Sequence, residues 1–515
     1  MKNYIKITIV SIILFLFGTN YLFAQMTVKL EKADALSGTV NKEGERLDKA
    51  IGNVMFLQGE TKIYCDSAYF FKKANKMDVF GNVRIHEGDS IRITSRRGSY
   101  DGNTKTAILQ NNVVFRKTGE VTLYTNNLVY NRSIGVAKYV NGGKLVDSTN
   151  VLKSEKGYYH VNSRMASFKN KVVGDSPDFH LESDTLQYHT QRNVIYFRDT
   201  TLLSDKEGNL FKYHTGEYNT GTKKSRLNSG FIETRQYTLR AENLFLDNLT
   251  RKYNASGKVE MLAKNENIII SGEKAYLDKQ KGETKVYGNA LMKKVMDSGD
   301  TLYLSADTLV SLDGENEAED RLLAYFNVKI FKEDLQGRAD SLSYNSGDSV
   351  IIFYKDPVLW TQGTQLTADT VAIEIANNTI DKLNLYNNSF IISEDSMQHF
   401  NQIKGRLMET YFREGIIRKV YVNGNGESIY YVLNEEKGTV EGINNISCSN
   451  MLIRFVENQV NNISFYMNPD GSFIPPHEIK PENKELKGFI WREDEKPTFE
   501  IVTGNVPLPE IINNQ

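Results

Sequence analysis

The chain has 515 residues, with 63 Lys and Arg against 64 Asp and Glu, and its net charge of −1 comes from interspersed signs rather than blocks. No basic stripe runs along it, so nucleic acid is excluded as the expected partner. Two cysteines are too few for a disulfide-stapled fold, and Cys65 and Cys448 are expected as separate free, buried thiols.

Residues 1–24 read as a secretory signal peptide. Lys2 and Lys6 precede the apolar run Ile7 to Phe17, and Leu22-Phe23-Ala24 supplies a small residue before Gln25. The alternative is an uncleaved anchor, for which the apolar run is short. No Cys stands near the junction, which argues against a lipoprotein. In residues 25–50, Leu30, Ala33 and Leu36 predict a leading strand or cap.

An array begins near Ile51. The word Gly52-Asn53-Val54 returns as Gly81-Asn82-Val83, then as Asn111-Asn112-Val113, Gly257-Lys258-Val259, Gly288-Asn289-Ala290, Phe326-Asn327-Val328 and Asp356-Pro357-Val358. Weaker nodes lie near Gly142, Asn170, Asp199, Asn228 and Asn387. In the stretch 77–85, Met77, Val79, Gly81, Val83 and Ile85 alternate with Asp78, Phe80, Asn82 and Arg84, the period of a strand with one buried face. Between nodes comes an acid followed by an apolar or aromatic residue, as in Asp66-Ser67-Ala68-Tyr69, Asp184-Thr185-Leu186, Glu273-Lys274-Ala275-Tyr276 and Asp340-Ser341-Leu342. A fixed period of about 30 residues marks a stacked array in which no unit buries its apolar face alone. Turns such as Asp101-Gly102-Asn103 and Asn141-Gly142-Gly143 suit tight hairpins with positive φ.

The acidic stretch Asp313–Asp320 is expected as a solvated loop and as the boundary between two lobes, dividing a repeat region at 25–312 from a modified one at 321–466. After about 370 the repeat lengthens, with nodes expected at Asn378, Gly415 and Asn458. Residues 467–515 hold most of the nine prolines around the apolar island Gly488-Phe489-Ile490-Trp491. Proline removes ladder donors, so this tail is expected to be extended and either docked or mobile rather than a central strand.

Little in the chain points to chemistry. None of the seven histidines falls in a His-Glu-x-x-His spacing, and no Gly-x-Ser-x-Gly elbow is present. The recurrent acids could form a calcium ladder or a carboxylate pair. Their appearance once per repeat fits better with capping a bend or facing water. No catalytic residue, metal or cofactor is expected. The apolar positions after successive nodes are more informative. Val54, Phe56, Val83, Ile85, Val113, Phe115, Val259, Met261, Ala290, Met292, Val328 and Ile330 would stack into a strip. That strip is either a closed core or the wall of an open groove.

The repeated Gly-Asn-Val node, the midway Asp-x-Ala/Leu-x-Tyr and the export signal resemble the OstA-like proteins, the family of LptA and of the periplasmic N-terminal domain of LptD. The resemblance covers roughly residues 30–390 and continues more loosely to 465. It implies an all-β, elongated, repeat-built antiparallel β-jelly-roll folded like a taco, with lipopolysaccharide acyl chains inside. It also implies Lpt-type partners that stack on exposed edge strands, so that membrane contact comes through those partners. The expected protein is therefore periplasmic or outer-membrane associated, and non-enzymatic. The twelve apolar positions are its groove candidates. Arg96, Arg97, Lys223, Lys224 and Arg226 could meet lipid phosphates, although a solvated surface is the simpler expectation. A parallel β-helix enzyme and a structural or adhesive surface solenoid are the alternatives. The chain is much longer than LptA, and the Pro-rich tail has no counterpart in the family.

Overall fold

A computed structural model describes residues 27–504, apart from 41–43, 45, 236, 265–266, 297–298, 377–378, 414–415, 435–436 and 457–458. The expected signal peptide and the expected nodes at Asn378, Gly415 and Asn458 lie outside the described residues. Among the described residues the chain is almost wholly strand, with one five-residue α-helix at Phe499–Thr503 and a few 3-10 turns. The long strands pair antiparallel with their sequence neighbours, which excludes the parallel β-helix.

The node is a bend. In the strand Lys76–Glu87, Met77, Val79, Val83 and Ile85 are buried, and the ladder slips between Phe80 and Val83. The two residues inside the slip have positive φ, Gly81 at 73° and Asn82 at 43°. A β-bulge of this kind bends its strand and suits Gly and Asn, which tolerate the left-handed region. The midway acid holds the bend. Asn82 Nδ2 donates to Asp66 Oδ2 at 2.8 Å, and a Cβ on Gly81 would collide with the Asp66 carboxylate.

The same clamp recurs at Asn53–Asp34 (2.8 Å), Asn289–Glu273 (3.2 Å), Asn327–Asp307 (2.9 Å) and Asn388–Asp369 (3.0 Å). Where Lys takes the Asn position the clamp becomes an ion pair, at Lys171–Glu155 (2.7 Å) and Lys258–Glu242 (3.3 Å). These acids thus cap bends. The turn after Asp101 differs from its expectation. Positive φ falls on Lys105, Asp101 Oδ1 accepts from Asn103 N at 2.9 Å, and Gly102 is required by its close approach to Asn75.

The chain divides into two compact units, the first comprising residues to 206 with 219–221, the second 207–218 with 222 onward. In the first unit the strands Arg46–Gln58, Thr61–Phe71, Lys76–Glu87, Ile91–Asp101, Thr106–Lys117 and Val121–Asn131 form a meander. Each folds at its bulge, so the arm before the bend faces the arm after it. Phe56 after one bend meets Phe70 before the next, with ring centroids 5.2 Å apart, and Phe115 meets Tyr130 at 5.5 Å.

The second unit repeats the plan from Lys224–Glu233 to Leu335–Asn345. The stretch Asp313–Asp320 lies within this unit, with Glu317–Glu319 as a 3-10 turn. The longer repeat after 370 reflects longer strands, 16 residues at Thr379–Glu394 and 19 at Ile416–Asn434.

The tail docks. Its residues cover the outer face of the second arm, where Leu486 enters a cluster with Phe390, Ile392, Ile429, Tyr431 and Ile443. Two buried glutamines supply the backbone partners that a ladder would otherwise give. Gln402 donates to Lys484 O (2.7 Å) and accepts from Leu486 N (2.8 Å). Gln365 donates to Ile490 O (2.8 Å) and accepts from Arg492 N (2.7 Å). Arg492 then grips Asp356 at 2.7 and 2.9 Å, and Phe499 sets its ring edge-on to Tyr303 at 5.2 Å.

Candidate functional site

Every one of the twelve groove candidates stands on the inner face just after a bend. Their row runs continuously through strands that carry no node word. In the first unit Phe56, Ile63, Ile85, Ile93 and Phe115 are successive register partners. In the second unit the row is Met261, Ile270, Met292, Leu304 and Ile330. Sequence reasoning missed Ile63, Ile93, Ile270 and Leu304 because the return strands lack the node that marked the others. Their alternation alone would have found them.

The two units treat this row differently. In the first unit Val54, Phe56, Val83, Ile85, Val113 and Phe115 are buried against the facing arm, and a series of tyrosines bolts the arms together at their free ends. Tyr100 donates to Gln58 Oε1. Tyr130 donates to Glu87 Oε2 at 2.6 Å, with Arg132 Nε 3.3 Å from the other oxygen. Tyr159 donates to Glu120 at 3.1 Å, beside Arg164 at 3.4 Å, and Tyr188 donates to Asp147. Burial, reinforced at Tyr130 and Tyr188 by the carboxylate acceptor, pushes the phenols of Tyr130, Tyr159 and Tyr188 well above their usual range. The bolts therefore remain protonated donors at any physiological pH. Burial alone would raise Asp147, but hydrogen bonds from Tyr188 and Asn150 hold it below the usual carboxylate range.

Each of these tyrosines is the penultimate residue of its strand or half-strand. The same place in the second unit holds Leu246 in Tyr237–Asp247 and Leu277 in Ile268–Asp278, while Thr215–Asn219 and Leu335–Asn345 keep tyrosine there, Tyr218 and Tyr344. Leucine cannot bolt. There the inner-row residues nearest the free ends, Leu239, Met261 and Ile270, are half-buried, where Phe56, Ile85 and Ile93 are buried. Ala290, Met292, Val328 and Ile330 stay buried, and Val259 lies beneath Met261. Of the basic candidates, Arg96 and Arg97 are exposed, Lys224 pairs with Asp247 at 3.2 Å, and Arg226 lies 3.9 Å from Glu217.

Residues 25–184 match the OstA-like protein family. This OstA-like stretch holds the two full Gly-Asn-Val nodes, the Asp34 and Asp66 that clamp them and three of the four tyrosine bolts. Beyond residue 184 the nodes at Gly257, Gly288 and Asn327 keep the same positive-φ bend. No curated protein matches the sequence. Among solved structures, the chain is similar to LptH, the LptA-homologous periplasmic component of the lipopolysaccharide transport device of Pseudomonas aeruginosa. That similarity has 14% identity, covers 22% of this chain and 79% of the other, and has a TM-score of 0.20, too low to carry a functional argument.

The clustered acids do not build a metal centre. Among the described residues no three His, Cys, Asp or Glu side chains converge on a possible ion. Both cysteines are free and buried, and burial pushes the Cys65 thiol up to about 12.

Proposed function

We propose that this is a periplasmic, non-enzymatic carrier that holds lipopolysaccharide by its acyl chains and passes it towards the outer membrane. The observation that carries this reading is the unbolted interior of the second unit. There the apolar row is only half-buried at Leu239, Met261 and Ile270, with buried Met292 next to Ile270. An acyl chain of about 12 methylenes buried there would gain on the order of 10 kcal/mol, at about 0.8 per CH₂. Val259, Met261, Ala290, Met292, Val328 and Ile330 would line it. The six first-unit candidates would meet lipid only if the bolts opened.

Partners of Lpt type would join at exposed strand edges. Ala35–Val40 is exposed along its whole length and pairs with Arg46–Gln58 on one side. Gln459–Tyr466 and Asp470–Ile474 line the last long strand of the second unit, with Tyr466, Met467 and Phe473 exposed. Such edges recruit strands from a partner by β-augmentation.

A photoreactive benzoylphenylalanine placed at residue 261, and separately at 115, tests the site in the mature protein. Crosslinking to lipid A from residue 261 but not from 115 is expected. Lipid crosslinked from neither position, in protein that retains its strand content, would overturn the carrier reading.

A further inference from the structure

The outer face of the second unit carries a regular row directly before the bends. Tyr287, Thr308, Tyr325 and Ser341 are successive register partners across four strands. Ser341 then pairs with Tyr354, Tyr354 with Thr370, and Thr370 with Tyr386. The residues just before Tyr287, Tyr354 and Tyr386 in sequence (Val286, Phe353 and Leu385) are buried, so the row itself points outward. Its four tyrosines are 37, 38, 37 and 42% exposed. Adjacent strands lie about 4.8 Å apart, so the rings recur roughly every 9.6 Å with a hydroxyl residue between them. Cross-strand Tyr–Thr pairs stabilise any sheet. That does not account for what lies on either side of this row.

On one side run the bend clamps Glu273–Asn289, Asp307–Asn327 and Asp369–Asn388, a lane of fixed acceptors and amides parallel to the rings. At its Tyr287 end the row runs into a cleft of 380 Å³ whose lining includes Arg226, Asn228, Asn243, Asn254, Lys274 and Tyr287, and no carboxylate. A concave site of this size with a few polar groups suits a small ligand. Three amides and two cations, Lys274 and an Arg226 that also lies 3.9 Å from Glu217, select hydroxyls and one negative charge.

Aromatic rings offer flat apolar faces to the CH faces of pyranose rings, and amides and carboxylates pair with sugar hydroxyls. The step between tyrosines is close to the length of two linked pyranoses. We propose that this outer face binds an acid-bearing pyranose glycan, its acidic group in the Arg226/Lys274 cleft and successive disaccharides along the tyrosines. The ligand would lie on the face opposite the acyl-chain interior, so this proposal does not depend on the carrier reading.

Calorimetry on the mature full chain tests it with two lipid-free probes, the phosphorylated core oligosaccharide of lipopolysaccharide and solubilised peptidoglycan strands. At least one is expected to bind, and whichever does so identifies the source. Tyr325→Ala and Tyr354→Ala should each weaken that binding about three- to ten-fold, roughly 0.7–1.4 kcal/mol. Tyr325→Phe should leave it unchanged. Lys274→Glu should weaken it without altering acyl-chain crosslinking. Should the alanine variants lose their fold, Lys274→Glu, exposed and paired in register with Tyr287 at the end of the row, decides alone. Failure of both probes to bind, or binding indifferent to these changes, overturns the proposal.

Discussion

Gly81 and Asp66 show how much one position of the repeat must satisfy. The glycine supplies a positive φ and leaves room for the carboxylate that Asn82 grips at 2.8 Å. Gly81→Ala should therefore cost more than about 1 kcal/mol, read as a lower denaturation midpoint. Combining it with Asp66→Ala should recover part of the loss, because the collision goes while the backbone strain stays. His180 gives a pH prediction. A hydrogen bond from its Nδ1 to Asp175 at 2.7 Å, with Glu182 beyond, raises its pKa above 6.5. The stability it contributes is complete below 6.5 and is lost as pH rises through that higher value. His180→Gln should remove this component of the pH–stability curve above pH 6.5. The effect should be small, since both partners are half-exposed. The node words and their acids were legible as a pattern. Their pairing was not, because acid and amide stand 16 to 20 residues apart on neighbouring strands.

At the level of elements, the tail is the informative case. Its prolines predicted a segment that is no central strand; Asp470–Ile474 pairs with Thr439–Val456, and the described residues from Pro475 to Gly504 form no strand. Where it docks was hidden by Phe390-Ile391-Ile392. In an unbroken apolar run alternation gives no face, and here both faces are buried, Ile391 inward and its neighbours under the tail. Leu486→Ala should cost about 2–4 kcal/mol. Removing residues 475–515 should do more, exposing that cluster and making the protein bind apolar dyes and self-associate in light scattering. The two glutamines would lose four hydrogen bonds to backbone at once, so Gln402→Ala alone should loosen the tail to limited proteolysis while the sheet persists.

Across the whole molecule, one repeat is used in two ways. The first unit closes its interior with tyrosines that reach back 39 to 43 residues to the facing arm. The second has leucine at two of the corresponding places, keeps Tyr218 and Tyr344 at two others, and leaves Leu239, Met261 and Ile270 half-buried. Tyr130→Phe should cost about 1–2 kcal/mol and leave the half-buried Glu87 with Arg132 alone. Leu277→Tyr should run the other way, narrowing the second interior and lowering acyl-chain crosslinking from residue 261. Repeat period, strand direction and the inner strip could all be read from sequence. Closure could not, because it depends on which side chains meet across a folded sheet. Yet the Tyr-to-Leu change at the penultimate position was present in the sequence throughout.

The docked tail also sets an order of events. Its residues cover a face whose strands begin near Thr301 and end near Ile474, all of which leave the ribosome first. During synthesis that apolar surface stays bare until residues 476–503 follow and lie back across it. The growing chain therefore exposes Phe390, Ile392, Ile429, Tyr431 and Ile443 for its final stretch of synthesis. A chain stopped short of Leu486 would present quality-control proteases with the surface that a finished chain conceals.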